Sequence, residues 1–184
     1  YITSMEEIVT DDKEIYGQLK QYLHENQPED ENRLRLYEDA MLPLAKLYQI
    51  DKAMEEALST HVWLKSGGYL VIEPTEAMTV IDVNTGKYTG KKNKRDTILK
   101  INLEAAAEIS HQMRLRNLSG IILVDFIDME EKEDQELLMK TLAVQCARDP
   151  VKTTVVDMTR LNLVEITRKK IRKPLHEQVR LFGR

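Results

Sequence analysis

Asp82 and Asn84 lie in the run Ala77-Met-Thr-Val-Ile-Asp-Val-Asn-Thr-Gly-Lys87, and in an extended chain side chains two apart project together. Ile81 and Val83 then face the other way. The run reads as a half-buried strand that enters a glycine turn and carries a carboxylate and an amide on its polar side. A second carboxylate, Asp125, closes the apolar stretch in Gly120-Ile-Ile-Leu-Val-Asp-Phe-Ile-Asp128. Four apolar residues in succession predict a central strand covered on both faces, with Asp125 at its carboxyl end, where sites form in α/β proteins. Two strand-borne carboxylates with an amide beside one of them suit a hard divalent cation such as Mg²⁺, which takes oxygen ligands and keeps several waters. An aspartate at a strand end also serves as a turn former or helix cap, and the residue types alone leave both roles open.

Other chemistries find less support. His24, His61, His111 and His176 are scattered, with neither an HExxH pattern nor i, i+4 pairing, and read as surface or packing residues. The single cysteine, Cys146, allows no internal disulfide and no multi-cysteine zinc site, and its place in a helical run points to packing. There is no nucleotide-binding glycine loop and no Gly-x-Ser-x-Gly elbow. Lys87, Lys91, Lys92, Lys94 and Arg95 crowd a loop that follows Gly86. It is either a solvated loop or one that attracts phosphate beside the carboxylates. The run Arg168-Lys-Lys-Ile-Arg-Lys173, with Arg168, Lys169 and Lys170 at its head, carries the same two readings: cations complementing a helix end, or contacts to a phosphate backbone.

Periodicity predicts the elements that must hold these residues. Ile15, Leu19 and Leu23 recur at helical spacing behind Asp11 or Asp12, residues 25–32 are a polar loop broken by Pro28, and Arg33 to Tyr37 alternates like a short strand. Leu44 to Leu58 reads as a helix with a fresh start near Asp51, its stripe of Ile50, Met54, Ala57 and Leu58 expected in the core. Val62 to Glu73 is a hairpin turning at Ser66-Gly-Gly68. A long helix capped by Asp96 should bury Ile98, Ile101, Ala105, Ile109 and Met113 and end at Leu118-Ser-Gly120. A charged helix from about Glu130 to Arg148, a strand at Thr153 to Asp157 and a final helix from about Asn162 complete a layered α/β pattern.

A chain of 184 residues, 42% hydrophobic and 32% charged, has room for one domain or one domain plus part of another. No apolar run reaches membrane-spanning length, no signal peptide pattern opens the chain, and a cytoplasmic setting is expected. The net charge of −4 hides an asymmetry. Acidic residues outnumber basic ones two to one in residues 1–66, whereas basic residues are in slight excess from 67 to 184, so a polyanionic partner is compatible with the second part only.

The segments Ser66-Gly-Gly-Tyr-Leu-Val-Ile-Glu-Pro-Thr-Glu-Ala77, Ile81-Asp-Val-Asn-Thr-Gly86, Asn102-Leu-Glu-Ala-Ala-Ala-Glu108, Arg114-Leu-Arg116 and Val124-Asp-Phe-Ile-Asp-Met129 together resemble the bacterial ribonuclease E/G family. They stand in that family's order at compatible spacing, from about Val62 to Lys173. The resemblance implies a DNase I-like layered sheet-and-helix subdomain over residues 62–184, preceded over 1–61 by part of an RNase H-like subdomain of structural role. Carried over position by position, the family's Mg²⁺-binding carboxylates fall on Asp82 and Asp125 and its supporting asparagine on Asn84, which makes these three the expected catalytic residues. Asp128 is expected as a helix cap in preference to supporting the metal site.

The implied activity is a Mg²⁺-dependent (Mn²⁺ in its place) endoribonuclease that hydrolyses single-stranded RNA to 5′-phosphate and 3′-hydroxyl ends in RNA processing and decay, as a homo-oligomer when full-length. By the same resemblance the family's S1 domain and 5′-phosphate sensor would lie upstream of Tyr1 and its zinc-linking Cys-Pro-x-Cys downstream of Arg184. The chain therefore reads as an excised portion, without the structural zinc and poorly active alone. Aromatic residues are only 5% of the chain, so base recognition is expected from the S1 domain. Two alternatives remain beside the nuclease: a non-catalytic RNA-binding or oligomerisation module and, from fold alone, a metal-dependent DNase or phosphodiesterase.

Overall fold

The computed structural model describes residues 6–86 and 94–181, the last without its side chain. The chain divides into two units, Tyr1–Glu55 and Glu56–Arg184. In the first, β1 (Ile8–Thr10) and β2 (Leu34–Leu36) pair in parallel around α1 (Lys13–Asn26). Asp12 caps α1 by accepting from the backbone N–H groups of Glu14 and Ile15 at 2.8 and 3.0 Å. The segment read as a plain loop instead contains a 3-10 helix, Pro28–Arg33, because Pro28 is well suited to a first helical turn. The helix expected from Leu44 is broken into α2 (Leu44–Leu47) and α3 (Ile50–Leu58) at Gln49, which takes a φ of 51°. Its apolar stripe is not core: only Ala57 is buried, while Ile50, Met54 and Leu58 stay partly exposed.

The second unit is a six-stranded sheet of order β3-β4-β5-β6-β8-β7. Its strands are β3 (His61–Trp63), β4 (Tyr69–Pro74), β5 (Met78–Asn84), β6 (Gly120–Asp125), β7 (Thr153–Met158) and β8 (Leu163–Arg168). Only β5 and β6 are parallel, joined through α4 (Lys94–Leu115), as a parallel pair requires a long crossover. α5 (Lys132–Cys146) links β6 to β7. Leu70, Ile72, Ile81, Val83, Ile122, Val124, Val164 and Ile166 form the sheet's side of the core, and Ile101, Ala105, Ile109, Met113, Leu138 and Leu142 the helices' side. Cys146 lies in this core as a free thiol, and burial followed by the nearby Asp149 charge pushes its pKa up to about 11.

Three expectations are corrected here. β6 is buried on one face only: Ile122 and Val124 point into the core while Ile121 is 48% exposed, because α4 and α5 cover a single side of the sheet. The final helix does not begin at Asn162. That residue sits at φ 62° in the turn of a hairpin, and the alternation of Val164, Ile166 and Arg168 inward makes β8 a strand; the helix that follows is α6 (Leu175–Leu181). Lys94 and Arg95 belong to α4 rather than to a loop, which places Asp96 within the first turn instead of at the cap. At its other end α4 closes through Asn117, at φ 48°, with the Leu118 N–H returning to the Met113 carbonyl at 3.0 Å.

Candidate active site

The parallel register of β5 and β6 places Asp82 directly opposite Asp125. Adjacent strands are about 4.8 Å apart, so the two carboxylates are neighbours on the sheet face opposite α4 and α5, and both are exposed. Asn84, two residues beyond Asp82, projects from the same face and donates from Nδ2 to Asp82 Oδ2 at 2.8 Å. Burial raises the Asp125 pKa, and the charges of Asp82 and Asp128 raise it further. Such crowding of negative charge is what a bound cation relieves.

Asp128 does not cap a helix. α5 begins after Glu131, and the Asp128 carboxylate accepts from Asn162 Nδ2 at 3.2 Å, in the β7–β8 turn. Asn162 is thus brought to the site from a segment that sequence periodicity assigned to a helix; an asparagine followed by alternating apolar residues was the available signal.

Two further residues hold the site's loops from behind, both within the segment Asn102-Leu-Glu-Ala-Ala-Ala-Glu108 that carries the resemblance but to which the sequence assigned no role. Asn102, fully buried on α4, donates to the Ile127 carbonyl at 2.8 Å and accepts from the Ile127 N–H at 3.1 Å, pinning the chain between Asp125 and Asp128. One half-turn along, the Glu104 carboxylate accepts from the N–H groups of Lys65 and Ser66 at 2.6 and 3.1 Å in the β3–β4 turn. Burial alone would raise the Glu104 pKa, but the hydrogen bonds from Ser66 and Lys65 hold it below the usual carboxylate range. That turn packs so closely on the end of β5 that a Cβ on Gly68 would come 2.7 Å from the Asn84 carbonyl oxygen, and one on Gly86 would collide with the Gly67 carbonyl.

Of the cations singled out, Lys87, Lys91 and Lys92 lie outside the described residues. Lys94 and Arg95 open α4, and Arg95 forms a two-pronged pair with Asp134 at 2.7 and 3.0 Å. Lys169 and Lys170 follow β8 and are exposed. Arg168 is not a surface cation: it is 5% exposed, donates from Nε to Asp149 at 2.7 Å and from Nη1 to the Leu118 carbonyl at 2.9 Å, and so has no group to offer a phosphate backbone. Strand alternation, which turns Arg168 inward with Val164 and Ile166, is the reason.

Residues 1–171 match the ribonuclease E/G family. The chain belongs to that family. It is 43% identical over 173 residues to ribonuclease G of Haemophilus influenzae, 94% of this chain and 35% of the relative. Ribonuclease G of Escherichia coli is 40% identical over 171 residues, 93% of this chain and 35% of the relative. Ribonuclease E of a Nostoc species is 45% identical over 141 residues, 77% of this chain and 20% of the relative. The chain thus spans about a third of the length of the curated ribonuclease G relatives it matches.

As a ribonuclease E/G family member the chain presents an all-oxygen donor set at Asp82 and Asp125. Among the described residues no group of three His, Cys, Asp or Glu side chains converges to hold a metal. Two carboxylates fit Mg²⁺, which is commonly held by one or two of them and retains water, and do not fit a four-ligand zinc site. Among the described residues no helix is long and apolar enough to cross a membrane.

Proposed function

We propose that this chain carries the catalytic centre of a Mg²⁺-dependent endoribonuclease that cuts single-stranded RNA to 5′-phosphate and 3′-hydroxyl ends, with Mn²⁺ an acceptable substitute. The observation that carries the reading is the register of β5 on β6, which sets Asp82 against Asp125 with Asn84 bonded to the first, on an open sheet face in a ribonuclease E/G family chain. Asp82 and Asp125 hold the cation. When bound, it supplies charge neutralisation at the scissile phosphate and acidifies the attacking water. Asn84 fixes the rotamer of the Asp82 carboxylate through its 2.8 Å hydrogen bond, and Asn162 does the same for Asp128.

In the same reading residues 62–184 are the DNase I-like subdomain and residues 1–61 part of an RNase H-like one, and the full-length protein is a cytoplasmic homo-oligomer acting in RNA processing and decay. Lys87, Lys91, Lys92 and Lys94 attract the RNA backbone, with Arg95 contributing through what its pairing with Asp134 leaves exposed, whereas Lys169 and Lys170 follow the end of β8 that pairs with Gly120, away from Asp125, and take no part in gripping the strand at the site. The test is cleavage of an unstructured oligoribonucleotide by the full-length protein with Mg²⁺. Asp82→Asn and Asp125→Asn should each abolish nearly all cutting and keep most of the RNA affinity. Near-normal cleavage by either variant refutes the site, and retention of RNA without any metal-dependent cutting by the wild type assigns the chain to binding alone.

A further inference from the structure

β3 is an edge strand of the sheet, and its outward side chains continue the two rows that hold the candidate site. Trp63 pairs with Tyr69, which pairs with Asn84; His61 pairs with Val71, which pairs with Asp82 and, through it, Asp125. Directly paired residues share a face, so the rings of His61, Trp63 and Tyr69 stand on the same bare face as the carboxylates. They touch one another: His61 and Tyr69 lie 5.8 Å apart with planes 28° from parallel, and Trp63 and Tyr69 lie 5.2 Å apart at 54°. Trp63 is nonetheless 70% exposed, which leaves a face of the indole open to a ligand.

We propose that Trp63 and Tyr69, backed by His61, form a stacking subsite for an unpaired nucleobase of the RNA strand whose phosphate lies at Asp82 and Asp125; this rests on the nuclease reading above. Trp63 stands two strands from Asn84, about 10 Å at the usual inter-strand spacing, within reach of a base next to or near the scissile phosphate. The other side of the site does not suit a polyanion, because the next row carries Glu73 and Glu165 on the same face. The strand is therefore directed across the carboxyl ends of β5 and β6, with the rings at one end of its path. Every base offers a π face, so the subsite adds affinity and position rather than sequence selection. Phe, Trp and Tyr make up only 5% of this chain, yet Trp63 and Tyr69 converge with His61 beside the carboxylates.

Trp63 is the sole tryptophan, so its fluorescence reports the subsite directly. The 184-residue chain, in EDTA so that nothing is cut, is titrated with a single-stranded oligoadenylate and with an abasic oligomer of equal length and charge. The oligoadenylate should quench Trp63 and the abasic oligomer should not. Trp63→Ala should weaken oligoadenylate binding by about tenfold, followed by anisotropy of a labelled oligomer, while the slope of log K against log salt stays as in the wild type; Trp63→Phe should keep most of the affinity. Equal quenching by both oligomers, no quenching up to millimolar oligoadenylate, or wild-type affinity in Trp63→Ala overturns the proposal. So does an emission that changes with protein concentration and not with RNA, which would assign the edge to a second copy of the chain. The nuclease reading fails separately, if Asp82→Asn or Asp125→Asn still cuts with Mg²⁺ while Trp63 is still quenched by bases alone.

Discussion

Arg168 and Asp149 have side chains only 3% and 1% exposed, so their pairing governs stability more than any surface charge does. Burial alone would raise the Asp149 pKa, but the hydrogen bonds from Arg168, the Val151 N–H and Thr153 outweigh it and hold the carboxyl below its ordinary value. A depressed folded-state pKa means stabilisation that is complete above the unfolded value, about 3.9, and is lost as pH falls through the folded one. Asp149→Asn should cost about 3–5 kcal/mol at neutral pH, since it strands a buried guanidinium, and the gap to wild type in urea unfolding should narrow below about pH 4. Asp125 behaves in the opposite way, its pKa raised by burial and by the neighbouring Asp82 and Asp128 charges. Asp125→Asn in EDTA should therefore match or exceed wild-type stability while destroying cleavage in the full-length protein, a separation readable by melting and oligoribonucleotide cutting. The shared face of Asp82 and Asn84 was legible from a two-residue spacing. That Asp125 opposes Asp82 was not, because only the register of two distant strands decides it, and the inward turn of Arg168 was hidden by the cations beside it.

At the scale of elements, α4 is the part that keeps the site in shape. Asn102 and Glu104 project from one stretch of it to hold the exit of β6 and the β3–β4 turn respectively. Asn102→Leu preserves volume but leaves the Ile127 N–H and carbonyl without partners, at about 1–3 kcal/mol. Chemical denaturation should show that loss, and cleavage by the full-length variant should fall more than its RNA affinity, because the chain from Asp125 to Asp128 is no longer pinned. The apolar stripe of α4 could be read directly from spacing at Ile101, Ala105, Ile109 and Met113. The polar residue buried among them could not, since its partner is a backbone 25 positions away. β8 escapes a reading from sequence for a related reason: a short run that mixes Glu165, Thr167 and Arg168 with its apolar residues resembles a helix start until its hairpin partner β7 is known.

At the largest scale, the decisive property is the second unit's sheet, sealed by α4 and α5 on one side and leaving Trp63, Val80 and Ile121 exposed on the other. Four apolar residues before Asp125 could not reveal this, because a run buried on both faces and one buried on a single face look alike along the chain. On the bare side a substrate must be gripped by charge and stacking. Neutralising Lys87, Lys91 and Lys92 should flatten the dependence of log K on log salt by about 0.7 per lost phosphate contact for single-stranded RNA; an unchanged slope would leave them as solvated surface. The 184 residues alone, a third of the length of their ribonuclease G relatives, should cut far more slowly than the full-length protein, since a loosely held strand forfeits the contribution of proximity. The sealed side has its own use. Cys146 is the sole thiol, ends α5 with its side chain buried in the core and is kept protonated at neutral pH, so a thiol reagent can reach it only when the second unit opens. Labelling rates thereby clock the breathing of the catalytic half alone, while circular dichroism sums both units, and the two observables together reveal whether the halves of this chain live and die as one body or two.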